Sequence, residues 1–381
     1  MSHTVTRVAL PCPSPGTARG LTVHRLGAPG ARPKAYLQAG LHAGELPGVL
    51  TLRHLLARLV AIADQGGVTG GIMGEIVLVP VANPVGLGQV VHGELLGRYD
   101  LARGVNFNRG FPEIADAVAE RVADQLDEDG EANVARIRAA MTAELDEREA
   151  LTEDATLKLA LMRLAVDADI VLDLHCDDEA LLHLFVNRPQ WPAAGELSAQ
   201  LGSRVTLLES EAGGAPFDEA SALPWEKLAE RFPERPIPNP CLAATVELRG
   251  RADLSDALAA GDADNLLRFL QRRGLVAGDP GALPEPLCEA TPLEGVDFVA
   301  APAAGLVIHV KEIGARVAKG ETVAEILDPA AEDPGAPRTA LTSRTDGILF
   351  GRRASRMARP GQTIAKVAGA EPVPGSRLLE D

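Results

Sequence analysis

The stretch Gly40-Leu41-His42-Ala43-Gly44-Glu45 stands between the apolar run Ala35–Ala39 and a long amphipathic segment. A strand therefore passes into a helix here, and such junctions are typical of α/β folds. His42 and Glu45 are three residues apart, so an imidazole nitrogen and a carboxylate oxygen can converge on one divalent metal ion. A turn histidine next to a helix-capping glutamate explains the same pair, and the stretch alone does not separate the two interpretations.

Segments after this stretch predict an α/β fold. Apolar residues at helical spacing predict a helix from Leu46 to Ala63, and the run Glu75–Val81 predicts a second buried strand. A strand, helix, strand order with short links indicates a parallel pair with a right-handed crossover. The other predicted elements are a charged helical segment over Glu113–Ala168 that breaks near Asp127–Glu131, strands over Asp169–Leu174, Leu182–Val186, Val205–Leu208 and Ala243–Leu248, and a helix over Asp262–Arg273.

The pattern of the chain changes after this last helix. Prolines and glycines are frequent in 278–295, which predicts a linker between an α/β domain over 1–277 and a second domain over 296–381. The second domain contains two similar halves, 303–326 and 345–367, each with short strands separated by a glycine turn. An internal repeat of short strands indicates a small all-β barrel-like sandwich.

The repeat also resembles biotinyl and lipoyl domains, which raises a carrier module as an alternative function. Such carriers have a modifiable lysine in the hairpin between the two halves. The corresponding segment here is Asp328–Pro337, and it contains no lysine. We therefore reject a carrier role.

Charge and composition limit the partners. The formal net charge of −16 argues against nucleic acids and anionic membranes, because basic surfaces bind both. No apolar run approaches the ~20 residues of a membrane span, and Met1–Pro15 lacks the regions of a signal peptide. We therefore expect a cytoplasmic protein with a small-molecule substrate, and the sequence leaves a homo-oligomer open. Cys12, Cys176, Cys241 and Cys288 show no CxxC spacing and are predicted to be free thiols.

His175 follows the predicted strand Asp169–Leu174 directly. In open α/β sheets the carboxyl ends of the strands form the ligand crevice, so we expect His175 to lie near His42 and Glu45. Two histidines and a glutamate leave a fourth zinc position open for water, as catalytic zinc sites do. The alternative is an ordinary core histidine at 175. A small buried residue explains the adjacent Cys176 better than a nucleophile does.

Glu247 lies in the otherwise apolar strand predicted over Ala243–Leu248. A buried carboxylate is costly there unless it is paired or has a chemical role. At the carboxyl end of the strand, Glu247 can act as a general acid/base that accepts a proton from water and returns it to a leaving nitrogen. The alternative is a salt bridge to Arg249 or Arg251.

The irregular stretch Val85–Pro112 carries further candidates, because long loops inside compact domains are often functional. Asn108 and Arg109 supply an amide and a guanidinium, and arginine binds carboxylates bidentately, so this pair suits a substrate with a carboxylate. Arg98 and Arg103 lie on the same loop, and either is able to stabilise a developing oxyanion. The alternative for Arg109 is a surface arginine on an acidic protein.

Four motifs occur in order along the first 250 residues. They are HAGELPG from His42, NFNRGFP from Asn106, DIVLDLH ending at His175, and VEL around Glu247. Together they resemble the succinylglutamate desuccinylase/aspartoacylase family, which belongs with the zinc carboxypeptidases. The resemblance implies a mixed central sheet flanked by helices, one zinc ion per chain and hydrolysis of an N-acyl amino acid or a similar amide. A C-terminal β-sandwich also occurs in this family.

The resemblance also implies roles for single residues. His42, Glu45 and His175 match the zinc ligands of the family, and Glu247 matches its general acid/base.

The pair Asn108 and Arg109 matches the Asn-Arg pair that holds a substrate carboxylate in the family. Family members often carry another arginine near this pair, in a tyrosine-containing context, that polarises the scissile carbonyl. Arg98 precedes Tyr99, and we choose it for this role over Arg103. The gap from Arg98 to Arg109 is longer than in aspartoacylase-like members.

The sequence thus predicts a zinc-dependent deacylase that hydrolyses the amide bond of a small N-acyl amino acid or a related carboxylate-bearing amide. The alternative within the same chemistry is a zinc carboxypeptidase that acts on peptides. The predicted cytoplasmic location and a C-terminal domain able to crowd the cleft favour the small substrate. A pseudoenzyme is disfavoured, because every candidate ligand and the candidate base are present.

Overall fold

The computed structural model describes residues 3–12, 14–65, 71–191, 193–210 and 213–375 of the chain. The α-helices within these residues are α1 (Pro47–Gln65), α2 (Pro84–Leu87), α3 (Ala115–Val122), α4 (Gly130–Glu147), α5 (Glu153–Ala165), α6 (Gly195–Leu201), α7 (Phe217–Arg231) and α8 (Asp256–Arg272). The strands of the first part are β1 (His3–Leu10), β2 (Arg19–Leu26), β3 (Lys34–Ala39), β4 (Glu75–Val79), β5 (Val90–Val91), β6 (Glu94–Leu95), β7 (Tyr99–Asp100), β8 (Val105–Asn106), β9 (Ile170–Asp177), β10 (Glu179–Ala180), β11 (His183–Asn187), β12 (Val205–Glu209) and β13 (Leu242–Gly250). The remaining strands are β14 (Ala290–Pro292), β15 (Val296–Ala300), β16 (Gly305–His309), β17 (Arg316–Val317), β18 (Thr322–Leu327), β19 (Thr339–Thr342), β20 (Gly347–Arg352), β21 (Met357–Ala358) and β22 (Thr363–Gly369).

A mixed sheet forms the centre of the molecule, in the order β1-β2-β4-β3-β9-β13-β11-β12-β14. Its middle strands β4, β3, β9 and β13 are parallel, β2 pairs antiparallel with β4, and β11 pairs antiparallel with β13. Strands β3 and β4 are buried along their whole length, as expected for strands covered on both faces. The predicted α/β fold with a mixed central sheet flanked by helices is therefore confirmed.

Helices cover both faces of this sheet. Apolar residues of α3, α4, α5 and α7 form one core with the face of β9 that carries Val171. Residues of α1, α6 and α8 form a second core with the opposite face, which carries Leu172 and Leu174. The alternation of side chains along a strand separates these two cores. No helix of the described residues is long and apolar enough to cross a membrane.

The order of elements follows the prediction, and several boundaries differ. The region predicted as helical with one break near Asp127–Glu131 contains three helices, α3, α4 and α5, with breaks at 123–129 and 148–152. Helix α8 begins six residues before the predicted start, after Ser255, whose hydroxyl accepts a hydrogen bond from the Leu258 amide. Helix α7 was not predicted, and Pro224 inside it weakens the helical pattern.

The C-terminal part is built of β-strands, as predicted. A five-stranded sheet has the order β10-β20-β22-β15, with β17 also paired to β20, and a four-stranded sheet has the order β19-β18-β16-β21. Apolar side chains of both sheets form one core. The two halves of the sequence repeat correspond to β16–β17–β18 and β20–β21–β22, which confirms the repeated strand pattern.

Strand pairing also connects the two parts of the chain. β10 follows β9 of the central sheet and pairs with β20 of the C-terminal part. β14 lies within the predicted linker 278–295, and it pairs with β12 at the edge of the central sheet. The carboxylate of Glu179 binds Arg352 at 2.6 Å and Arg356 at 2.7 Å. The division into domains 1–277 and 296–381 stays a prediction.

A close approach of α1 to the central sheet generates a stability prediction. A Cβ atom at Gly48 would lie 2.8 Å from both the Cβ and the carbonyl oxygen of Leu174, and 3.1 Å from the Cβ of Ala39. We expect Gly48→Ala to lower the free energy of unfolding by about 1–3 kcal/mol, because the helix must move away from the sheet. Denaturant titration followed by circular dichroism measures this change.

Gly261→Ala is the matched control, since Gly261 lies in α8 and a Cβ there would meet no atom within 4 Å. This variant should leave the stability unchanged or raise it by up to about 1 kcal/mol, because alanine has the higher helix propensity. Equal stability of the two variants would contradict the tight contact at Gly48.

Candidate active site

Strand register brings the candidate residues to one edge of the central sheet. In β3 and β9, Ala39 pairs with Leu174, so the loop after β3 lies beside His175. In β9 and β13, His175 pairs directly with Glu247. Gly40 has φ +69°, a left-handed conformation that allows the chain to turn sharply before His42. Residues distant in sequence thus meet because parallel strands end at the same edge.

His42, Glu45 and His175 form a group that can hold a metal ion. One ligand atom from each residue lies within 4.8 Å of the others. Nδ1 of His42 is 3.1 Å from Oε1 of Glu45, and Nδ1 of His175 is 2.8 Å from Oε2. All three residues are buried, with at most 5% of each residue exposed. Two neutral imidazoles and a carboxylate are a donor set suited to zinc.

The outer nitrogens of both imidazoles face other acceptors. Nε2 of His42 is 2.8 Å from Oδ1 of Asn106, and Nε2 of His175 is 2.9 Å from Oδ2 of Asp173. Each ring therefore presents Nδ1 to Glu45. Asn106 holds the His42 ring from behind by a hydrogen bond, whereas Asp173 lies behind His175 at ion-pair distance without hydrogen-bond alignment. This arrangement is typical of metal-ligating histidines, whose second nitrogen is usually held by a carboxylate or carbonyl oxygen. The residues present fit a metal ion at this position.

The pKa values of His42, Glu45 and His175 depend on one another. Burial raises the pKa of Glu45, but the neighbouring His42 and His175 outweigh burial and bring that pKa well below its ordinary value. Burial lowers the pKa of His42. Burial acts in the same direction on His175, but the carboxylates of Asp173 and Glu45 raise the pKa of this ring well above its ordinary value. The carboxylate is thus anionic and requires positive charge nearby.

Glu247 lies beside the metal-binding group and is not neutralised by an arginine. Oε2 of Glu247 is buried and has no hydrogen-bond partner among the described residues. The alternative salt bridges are not formed, because Arg249 binds Asp262 and Arg251 lies 3.5 Å from Asp178. Burial, together with the charge of Glu45, raises the pKa of Glu247 to about 8. This carboxyl group is therefore poised to exchange a proton near neutral pH.

The two arginines considered for the oxyanion lie in different places. Nη1 of Arg98 is 3.3 Å from Oε1 of Glu45 and 3.3 Å from Nδ1 of His42, so its guanidinium adjoins the metal-binding group. Nη1 of Arg103 instead lies 2.6 Å from Oδ1 of Asp154 and binds the hydroxyl of Thr152. The geometry therefore favours Arg98, and its role stays a prediction.

Asn108 and Arg109 lie next to each other at the same opening. Oδ1 of Asn108 accepts a hydrogen bond from the amide of Phe217 at 2.9 Å, which orients the side chain. The Nδ2 donor of Asn108 has no partner within the described part of the chain. Arg109 donates from Nη1 to the carbonyl of Asn108 at 2.7 Å and forms no ion pair with any described residue. Both side chains thus keep donors available to a ligand.

All seven predicted site residues line the same cavity, and their roles stay predictions. The predicted residues are His42, Glu45, His175, Glu247, Arg98, Asn108 and Arg109. The cavity also contains residues that sequence reasoning missed, namely Glu209, Asp218, Phe298 and Lys366. No motif identifies these four, because only the fold brings their elements to the cavity. Asn106 was missed as the partner of His42, although it belongs to the NFNRGFP motif.

The C-terminal sheets contribute directly to this cavity. Phe298 of β15 and Lys366 of β22 both line it. Nζ of Lys366 lies 2.5 Å from Oδ2 of Asp177, the last residue of β9. Cys176 also lines the cavity, and burial raises the pKa of its thiol. A raised thiol pKa disfavours a nucleophilic thiolate, in agreement with the interpretation of Cys176 as a small buried residue.

Comparison with known proteins gives a consistent result. Residues 31–228, more than half of the chain, match the model of the succinylglutamate desuccinylase/aspartoacylase catalytic domain. A solved protein of this family from Shewanella amazonensis SB2B is 27% identical, with a TM-score of 0.83 over 97% of this chain and 98% of that one. A second, from Shewanella frigidimarina NCIMB 400, is 24% identical, with a TM-score of 0.84 over 99% and 100% of the two chains.

A third solved structure, the ectoine utilization protein EutE of Ruegeria pomeroyi with bound product, is 18% identical, with a TM-score of 0.68 over 97% of this chain and 95% of that one. At such identities the second and third structures show a shared fold alone. No curated protein matches the chain. The family match, together with the four motifs around the cavity, shows that this chain belongs to the succinylglutamate desuccinylase/aspartoacylase family.

Proposed function

We propose that this protein is a zinc-dependent hydrolase that cleaves the amide bond of a small N-acyl amino acid. One observation carries the proposal: the His42, Glu45 and His175 group, the donors of Arg109 and the carboxylate of Glu247, whose Oε2 has no partner among the described residues, line one cavity. Metal ligands, a proton-transfer group and a carboxylate-binding cation are the parts that such a hydrolysis needs.

Zinc is the metal that we propose, because two histidines and one glutamate are a donor set of catalytic zinc sites. When bound, zinc lowers the pKa of a water molecule and polarises a carbonyl group. Asn106 and Asp173 lie behind the two imidazoles, whose Nδ1 atoms face Glu45. These contacts reduce the cost of assembling the ligand set, because the rings do not have to reorient.

The remaining steps belong to residues of the chain. Glu247 accepts a proton from the attacking water and returns it to the nitrogen of the amine product. The guanidinium of Arg98, close to Glu45, stabilises negative charge that develops on the acyl oxygen. Arg109 and the Nδ2 group of Asn108 bind the carboxylate of the substrate and fix its position relative to Glu247.

The lining of the cavity favours a small substrate over a peptide. Phe298 and Lys366 of the C-terminal sheets line the same cavity as the metal-binding group. These side chains take up space that a longer peptide would need, which makes the carboxypeptidase alternative less favourable. A cytoplasmic location stays a prediction from the sequence, which leaves a homo-oligomer open.

The metal-binding proposal predicts about one zinc ion per chain. His42→Ala and His175→Ala should each lose most of the metal, since two remaining ligands hold zinc weakly. Elemental analysis after equilibration with limiting zinc measures the loss. His54→Ala is the control, because His54 lies on α1 and binds Asp256. Full zinc occupancy in both ligand variants would reject the assignment.

The role of Glu247 predicts a loss of activity without a loss of metal. Glu247→Gln preserves the shape of the side chain and removes its basicity. Turnover should fall by at least ~100-fold, the usual scale for a missing general acid/base, while zinc content stays at the wild-type level. Steady-state kinetics and elemental analysis on the same preparation test this. Near-normal turnover, or loss of the zinc, would contradict a proton-transfer role.

If Arg109 binds the carboxylate of the substrate, its replacement by lysine should reduce activity although the positive charge is kept. Arg109→Lys should raise KM and lower kcat, because lysine cannot form the two-point contact that fixes the substrate. Zinc content should not change. Arg103→Lys is the matched control, since Arg103 on the same loop binds Asp154 away from the cavity.

A substrate whose carboxylate is converted to an amide completes this test. Wild-type protein should hydrolyse that amide poorly, and Arg109→Lys should add little further loss. Equal turnover of the acid and the amide by the wild type would remove Arg109 from substrate binding.

A further inference from the structure

Strand β13 is irregular directly after Glu247. Its register with β9 shifts between Glu247 and Gly250, so that two residues of β13 stand opposite one residue of β9. Such a β-bulge re-aims the side chains around it and is frequent next to active sites. Arg249 is the second residue of the bulge and has φ +66°. This left-handed conformation is costly for residues other than glycine, so contacts of the folded chain must hold Arg249 in it.

The bulge decides on which face of the sheet Arg249 lies. Side chains alternate along a regular strand, so residue 249 would share the cavity face with Thr245 and Glu247, which both line the cavity. Continued register would place it opposite Asp177, with its guanidinium next to the Glu247 carboxylate. Arg249 instead contacts α8, which packs with Leu248 on the opposite face of the sheet (the α8 face). The bulge thus keeps a guanidinium out of the cavity.

Asp262 of α8 is the residue that binds Arg249 on the α8 face. Nη1 of Arg249 donates to Oδ1 of Asp262 at 3.2 Å, and Nη2 donates to Oδ2. Only 7% of Asp262 is exposed. A two-point contact between a guanidinium and a carboxylate fixes the direction of both side chains. The ion pair therefore compensates for the unfavourable backbone conformation of Arg249.

Glu247 lacks the ion pair that a regular strand would give it. Its Oε2 atom is buried and has no hydrogen-bond partner among the described residues, although Arg249 is only two residues away in sequence. A guanidinium beside this carboxylate would stabilise its anionic form and occupy its oxygen atoms. Both effects oppose the transfer of a proton to and from Glu247.

We propose that Asp262 is a positioning residue that holds Arg249 on the α8 face and thereby keeps Glu247 free for proton transfer. This inference rests on the proposed function, because it assumes the role of Glu247 in hydrolysis. It assigns a task to an ion pair whose two residues do not line the cavity. Asp262 acts on the reaction through Arg249 alone, so removal of Arg249 should make Asp262 dispensable.

Two single variants and their combination test this inference. Asp262→Ala should lower kcat by about tenfold or more, because the released guanidinium of Arg249 pairs with Glu247 and suppresses general acid/base catalysis. Arg249→Gly should keep kcat within about threefold of the wild type, since glycine adopts a positive φ without strain and carries no guanidinium. The double variant should recover the activity that Asp262→Ala loses. The substrate is the N-acyl amino acid that the wild type hydrolyses fastest, and zinc content should not change.

The recovery separates a positioning role from a structural one. Asp262→Ala and Arg249→Gly remove the same ion pair, so a merely structural pair predicts equal losses and no recovery in the double variant. Either of these results, or an unchanged kcat in Asp262→Ala, overturns the inference. Asp264→Ala is the matched control, because Asp264 also lies on α8 and pairs with Arg58 of α1. This control should keep kcat within about twofold of the wild type.

A crystal structure of zinc-loaded Asp262→Ala protein separates this inference from the proposed hydrolysis, because it needs no turnover. A guanidinium of Arg249 within about 4 Å of the Glu247 carboxylate supports the inference even if the wild type hydrolyses no N-acyl amino acid. An Arg249 that stays on the α8 face rejects it even if the wild type is an active deacylase. Asp262→Asn, which keeps the size of the side chain and removes its charge, replaces Asp262→Ala in every measurement if that variant does not fold.

Discussion

The carboxylate of Glu45 is the interaction on which the site depends. It is 2% exposed, and its two oxygens face Nδ1 of His42 and Nδ1 of His175. Arg98 adds a guanidinium at 3.3 Å, and the backbone amide of Cys176 lies 3.3 Å from Oε2. A buried anion requires this much compensation, because its desolvation costs several kcal/mol. The same compensation fixes the side chains that a metal ion would bind.

The sequence predicted that His42, Glu45 and His175 lie together, because their positions follow from local patterns and from the ends of strands. An apolar run before His42 and another before His175 identify two strand ends, and parallel strands that end at one edge bring such residues together. Glu247 was identified because a carboxylate in an apolar strand is costly unless it is paired or has a chemical role. In the sheet it pairs with His175. The main helices and strands were also predicted, because the spacing of apolar residues along the sequence indicates the type of each long element.

The remaining features depend on contacts that no local pattern encodes. Glu209 enters the cavity because β12 lies beside β11 in the sheet. Lys366 enters because β10 pairs with β20, which in turn pairs with β22. Strand order and pairing between distant segments decide both placements. Helix α7, which contributes Asp218, was not predicted because Pro224 interrupts its helical pattern. Packing of Phe217 and Trp225 into the core stabilises this helix. Tertiary packing overrides a weak local signal in this case.

The charges of the cavity also limit which ligands can approach it. The chain has a net charge of −16, so its long-range field repels a substrate that carries several negative charges. Arg98, Arg109 and Lys366 place positive charge in the cavity, and Glu209 and Asp218 also line it. Selection between ligands then depends on short-range pairing inside the cavity, where low exposure strengthens each charge contact. The overall acidity of the chain therefore disfavours ligands that carry several negative charges, and the charged side chains that line the cavity act only on the ligands that reach it.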